Sequence, residues 1–298
     1  MYHRAFPQLI LALALVSGAS TPAPAQGAAG ELPRTEVWGG LTIVGPGTET
    51  TLATSYTPVI RNFVSAGQAG QELQLDAATQ AGFELGASYF PVRHAGLQVL
   101  VGHDRFDLSG LSSPYVVHLE YTALFPPSYA PTPVVVDRSE SWPDAAGDAD
   151  QWTVCVNGVG RWSLGLSVRG QLSGGLTYVR MKAAVRPLGY SSFQLGGHSV
   201  LFSNLYELEL STRAASSLGF NAGGGLDIRL SPRLWLTTDL RYVNGGTVSA
   251  PLEVVEILNP SEVMSADPLT TIQGTMRPAP LELGSARVRL MVGIKSAF

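Results

Sequence analysis

The chain alternates between apolar and polar positions. Near its end Val288, Leu290, Val292 and Ile294 interleave with Arg287, Arg289, Met291, Gly293 and Lys295. Successive side chains of an extended strand point to opposite faces, so this stretch has one apolar face and one face with three cations. The period of two recurs throughout the chain, whereas helical periodicity is nearly absent. It predicts eight strands, at residues 35–45, 79–91, 96–106, 150–160, 166–182, 215–230, 234–245 and 285–298. The third is expected to run on past a Gly/Ser break into YVVHLEYTA.

The connections fall into two classes. Only VRHA, RWSLG and SPR join strands two to three, four to five and six to seven, while the connections at about 46–78, 124–149, 183–214 and 246–284 are long. Strict alternation of short turn and long loop gathers every long loop at one end of an up-and-down antiparallel sheet. An even strand number returns both termini to the short-turn end. In the last long loop, residues 251–268 are the one stretch with a helical pattern, Leu252, Val255 and Leu258 sharing a side and Pro260 near its end.

The faces are consistent from strand to strand. In the sixth strand Leu218, Phe220, Ala222, Leu226 and Ile228 oppose Asn221, Asp227 and Arg229; in the fifth, Leu166, Val168, Leu172, Leu176 and Tyr178 oppose Arg169, Gln171 and Ser173. Alternation alone fits a soluble sandwich as well as a lipid-facing barrel. Strands of ten or more residues match the roughly 9 to 11 needed to cross a bilayer at a tilt. Trp152, Trp162, Tyr89, Trp235 and Tyr242 fall near strand ends, where an interfacial aromatic girdle would stand.

Composition narrows the choice. Charged residues make up 14% of the chain, below the roughly 25% of an ordinary soluble domain. A net charge of −4 without a basic cluster gives nucleic acid nothing to bind. Cys155 is the single cysteine, which excludes an internal disulfide and reads as a buried or lipid-facing hydrophobe. No CxxC or HExxH spacing occurs, so neither a metal site nor a cofactor is expected. At the N-terminus Arg4 precedes an apolar run from Leu9 to Val16 and small residues ending in Ala23-Pro24-Ala25. That pattern is a secretory signal peptide over residues 1–25, with cleavage after Ala19 the alternative, followed by a short periplasmic segment, 26–34, and a barrel domain, 35–298.

With these features the sequence resembles the bacterial outer-membrane β-barrels, of the eight-stranded OmpA or OmpW type. The fold class implied is all-β: a transmembrane up-and-down antiparallel barrel with short periplasmic turns and long extracellular loops. Such barrels typically end in a signal read by the assembly machinery, and Gly293 and Phe298 match its glycine and terminal aromatic. Ser296 and Met291 depart from it, at the places of a second aromatic and a polar residue. The resemblance implies the outer-membrane bilayer, periplasmic chaperones and the assembly machinery as partners of a monomer.

The face assignment sends Glu36, Glu84, Asp104, Asp227 and Asp239 into the lumen with Arg169, Arg229, Arg241, Arg287, Arg289 and Lys295. An eight-stranded barrel is only wide enough for side chains to fill, and an unpaired buried ion is costly. The charges are therefore expected to pair as a plug, and closure is expected to bring Lys295 near Glu36.

The loops offer little chemistry. His198 and Ser199, with Ser203, Glu207 and Glu209 following, only weakly suggest a hydrolytic set, because neighbours on an extended segment point apart. His118 and Glu120 share a face, and Asp137, Glu140, Asp144, Asp148 and Asp150 lie in a Pro-rich acidic segment without calcium-loop spacing. The reading is a non-enzymatic, largely closed outer-membrane barrel that presents surface loops. A narrow solute channel, a membrane-embedded hydrolase and a soluble periplasmic β-protein are the alternatives.

Overall fold

A computed structural model describes residues 34–45, 50–57, 65–125, 130–196, 199–259, 268–276 and 278–298. The N-terminal segment carrying the signal-peptide pattern lies outside them. The strands are β1 Thr35–Val44, β2 Thr50–Tyr56, β3 Ser65–Ala77, β4 Gln80–Val92, β5 Ala95–Ser112, β6 Tyr115–Phe125, β7 Ala130–Glu140 and β8 Ala145–Ser163. They continue with β9 Val168–Gly196, β10 Ser199–Thr212, β11 Ala215–Arg229, β12 Leu234–Asn244, β13 Thr247–Ala250, β14 Leu252–Ile257, β15 Leu281–Gly284 and β16 Arg287–Ala297. One short helix, α1, spans Pro268–Thr275.

Eight of these strands close a ring. In order they are β1, β4, β5, β8, β9, β11, β12 and β16, each antiparallel to the next, with β16 returning to β1. They are the eight that the alternation predicts. The fold is an up-and-down antiparallel β-barrel, with short turns at one end and long connections at the other.

Pairing also sets its dimensions. Stepping from partner to partner, Trp152 leads through His103, Phe83, Leu41, Val292, Thr238, Leu226 and Gly170 to Trp162. The circuit returns to β8 ten residues from its start, which is the stagger of the barrel. Ten residues at ~3.3 Å against eight strand spacings of ~4.8 Å give a tilt of about 41°. That is the tilt at which a barrel this narrow packs its interior with side chains.

The described parts of the long connections are mostly β-structure, where the sequence pattern suggests loops and, in the last of them, a helix. Pro114 has no N–H to extend a ladder, and there the chain leaves β5 and reverses into β6 instead of prolonging the third ring strand. The upper part of β5 pairs with β3, whose other half pairs with β6, and β7 lines β6. Two places further round the ring, β9 rises beyond it to carry β10 and then β14. The expected helix over 251–268 is absent from its described part: Leu252–Ile257 forms β14, burying Leu252 and Val254 on one face. Val254, Val255 and Ile257 are β-branched, and β10 offers an open edge whose hydrogen bonds outweigh a short helix. The helix forms later, at α1.

These strands surround an apolar core over the long-loop end of the barrel. Val44, Phe106, Ala149, Val179 and Val243 point inward from the ring's upper rows and join Leu73, Tyr115, Leu119, Leu188, Leu208, Ile272 and Leu283 of the connections. Below that cap the inward face turns polar, and outside the wall is apolar.

Candidate functional site: the charged lumen

Inward positions of the ring carry the charges. Glu36, Glu84, Asp104, Arg169, Asp227, Asp239, Arg241, Arg287, Arg289 and Lys295 are all buried, none more than 5% exposed. Arg229 differs from its expected place in the lumen. It is exposed, because β11 ends there and its inward parity no longer has a wall to point into. Its Nε donates to the Ser231 carbonyl at 3.4 Å.

Around the short-turn half, Glu36 gathers three cations. Arg161 Nη1 and Arg169 Nη1 reach its Oε1 at 2.7 and 2.8 Å, and Lys295 Nζ lies 3.6 Å from Oε2. Lys295 also meets Asp227 at 2.9 Å and donates to Gln171 Oε1 at 3.0 Å, while Arg169 Nη2 reaches Asp227 at 3.3 Å. Aromatic faces complete the shell: Arg161 over Phe90 at 3.5 Å, Arg169 over Trp235 at 3.7 Å and Lys295 over Trp38 at 5.0 Å. Trp235 is therefore inside the barrel and not in the expected girdle. Its chain neighbour Leu234 is exposed on the wall, but Trp235 itself has the inward parity of β12 and is buried.

Towards the cap, Arg289 bridges Glu84 at 3.6 Å and Asp104 at 3.2 Å, and Thr42 donates to Asp104 at 3.2 Å. Arg241 holds Asp239 at 3.1 Å and donates to Asn221 at 2.6 Å and Ser173 at 2.9 Å. Arg287 Cζ lies over Phe106, 3.7 Å from the ring centre, at the junction with the apolar core. Glycine makes room for these large groups. A Cβ on Gly102 would strike the Arg289 guanidinium, and one on Gly86 would strike the Trp38 indole.

Arg161 is the member that sequence reading misses. It lies in RWSLG, taken for a turn, yet β8 extends to Ser163 and Arg161 keeps the inward parity of Cys155, Asn157 and Val159. Counting by twos from Asn157 would have found it. Cys155 is buried in the lumen 3.2 Å from the Thr177 hydroxyl.

At the closing seam Gly293 pairs with Gly40, and a Cβ on Gly293 would collide with the backbone of Gly39 and Gly40. The ends of the ring are tied below it: Phe298 N donates to the Thr35 carbonyl at 2.9 Å and Arg34 N to the Phe298 carbonyl at 3.1 Å. The Phe298 ring is exposed.

Outside the lumen, His118 on β6 sits between Asp137 of β7, 2.5 Å from Nδ1, and Glu120, 3.3 Å from Nε2. Hydrogen bonding to Asp137 and then Glu120 raises its pKa. Among the described residues no three His, Cys, Asp or Glu side chains converge as a metal site. His198 and the side chains of Ser199 and Ser203 lie outside what the structure describes. Within the cap, Tyr56 and Tyr115 share a hydroxyl hydrogen bond, Tyr115 meets Ser191 Oγ at 2.7 Å, and Tyr56 stacks on Tyr190 at 4.7 Å.

No protein family and no curated protein matches the sequence. Among solved structures the chain is similar to the outer membrane protein OprG of Pseudomonas aeruginosa, with 11% identity and a TM-score of 0.43 over 90% of this chain and 97% of that one. Neisserial surface protein A follows at 11% identity and 0.35, covering 89% of this chain and 97% of that chain. The outer membrane protease OmpT of Escherichia coli is at 9% and 0.35, covering 92% and 99%.

Proposed function

We propose that this protein is an integral outer-membrane barrel without enzymatic activity, closed to solutes, that presents its β-rich connections at the cell surface. The observation that carries the reading is a barrel apolar outside and filled inside with charges that pair with one another, except Arg287, which meets the Phe106 ring. On β8 the outward face runs Trp152, Val154, Val156, Gly158, Gly160, Trp162, with an indole at each end. Ten residues along a strand tilted at ~41° rise about 25 Å, the height of the lipid-facing band of such barrels. Tyr89, Tyr242, Phe83 and Tyr178 are also exposed on the wall. In water this surface would be a large unpartnered apolar patch.

Closure rests on two layers. Ion pairs fill the short-turn half, and the apolar core lies over the other end. In this reading the short turns face the periplasm, residues 1–25 are the cleaved export signal, and Gly293 with Phe298 belongs to the signal recognised during assembly. On the same reading the protein works as a monomer, its ring closing on itself without a strand from a second copy.

The test is ion conductance across a planar bilayer after folding residues 26–298 into it. The expected result is insertion without conductance steps. Discrete, salt-dependent steps would replace the closed barrel with a channel whose selectivity is set by Arg241, Arg287 and Asp239.

A further inference from the structure

The ring's short-turn rim is unlike the rest of the surface. Arg34, Arg93, Arg229 and Arg233 are all exposed there. Every described Asp and Glu outside the lumen stands at or beyond the Trp152 end of the wall, so the rim's one anionic group among the described residues is the carboxylate of Phe298. A chain with a net charge of −4 thus keeps an edge without a described Asp or Glu side chain.

The four arginines share a height. A perpendicular step around the ring descends by about one and a quarter residues per strand, and on that scale all four fall within about two residues of the Trp162 row. Directly beside them the wall exposes Leu164, Leu166, Leu230, Leu234 and Phe298. Guanidinium groups at the margin of an apolar belt stand where lipid phosphates lie, and an arginine fork binds phosphate in two hydrogen bonds.

We infer that this rim binds the phosphate groups of anionic phospholipids in the leaflet it faces. The inference rests on the membrane reading above. The belt supplies immersion, the arginines supply selectivity for phosphate that bears net negative charge, and among the described residues the four guanidinium groups face the Phe298 carboxylate alone as an internal competitor.

Trp162 reports on this leaflet. In a W152F background it is the remaining outward indole on β8, and lipids brominated on their acyl chains quench it on contact. The chain is folded into mixed vesicles in which either phosphatidylglycerol or phosphatidylcholine carries the bromine. Each arginine adds about fivefold to anionic-lipid preference at most, so brominated phosphatidylglycerol should quench at least about threefold more effectively at low salt, and less so at high salt. R34Q/R93Q/R233Q should lower the ratio to what Arg229 alone sustains, and R34K/R93K/R233K should restore most of the loss. Arg229 is left in place because it touches Trp235.

A ratio near one in the parent, or an unchanged ratio in the glutamine variant, overturns the rim site while leaving the membrane reading standing. Displacement by inorganic phosphate beyond that by chloride at equal ionic strength would assign the rim to free phosphate and overturn the lipid. Absence of Trp162 quenching by both lipids would overturn the membrane reading itself.

Discussion

Lys295 Nζ lies 3.6 Å from Glu36 Oε2, inside the seam where the first and last strands of the ring pair. Neighbours in the barrel, they are separated by nearly the whole chain. Their contact records closure more directly than any local feature.

The two partners carry unequal weight. Glu36 balances Arg161, Arg169 and Lys295, whereas Asp227 retains Arg169 when Lys295 is removed. Glu36→Gln leaves buried cations under-compensated and should cost about 3–5 kcal/mol. Lys295→Met should cost clearly less. Urea unfolding of the detergent-folded protein, read by the mobility difference between folded and unfolded bands, compares them; equal losses would contradict the shared-carboxylate arrangement.

Gly293 and Phe298 separate two meanings of the C-terminus. Gly293→Ala forces a Cβ into the β1 backbone, so it should lower stability by about 1–3 kcal/mol in purified lipid, without any cellular factor. Phe298→Ala removes an exposed ring and should fold normally in vitro but accumulate poorly in the outer membrane. Equal in vitro behaviour of the two variants would deny the seam its steric role.

The β6–β7 hairpin should respond to pH. Hydrogen bonds donated by His118 to the Asp137 and Glu120 carboxylates raise its pKa above its ordinary value, so the folded hairpin holds the proton more tightly than the unfolded chain. The stabilisation is fully present below the ordinary histidine pKa and is lost as pH rises through the raised one. Hydrogen exchange of the β7 amides, corrected for intrinsic rates, should accelerate over that window in the parent and lose its pH dependence in His118→Ala.

The tyrosine cluster of the cap should resist titration. Burial is the largest cause of the raised pKa values of Tyr56, Tyr115 and Tyr190. These phenols stay protonated where an unfolded chain would release the proton, so the cap weakens as pH climbs above the ordinary tyrosine value. Phenolate absorbance should show them ionising together with unfolding. Tyr115→Phe removes the hydroxyl that meets both Tyr56 and Ser191, which stay bonded to each other, and should cost about 1–3 kcal/mol.

Much of this was legible in the sequence. Arg287, Arg289 and Lys295 share a parity on β16, and so do Asp239 and Arg241 on β12, which is enough to place them together on the inward face. Parity failed at strand ends. Arg161 turned inward because β8 outlasts its apparent turn, Trp235 faced in to cover Arg169, and Arg229 ran out of barrel. Segment 252–257 also changed class, taking up strand pairing with β10.

The sequence by itself determined the ring strands, their alternating faces and the gathering of long connections at one end. All three follow from local causes: a two-residue period and the length of a turn. Tertiary structure alone decided that Glu36 would hold three cations, that Asp137 would reach His118, and that the long connections would fold as strands over the mouth. Each of those depends on which distant segment offers hydrogen bonds at an edge, and edge partners are chosen by the closed stagger of the barrel rather than by neighbouring residues.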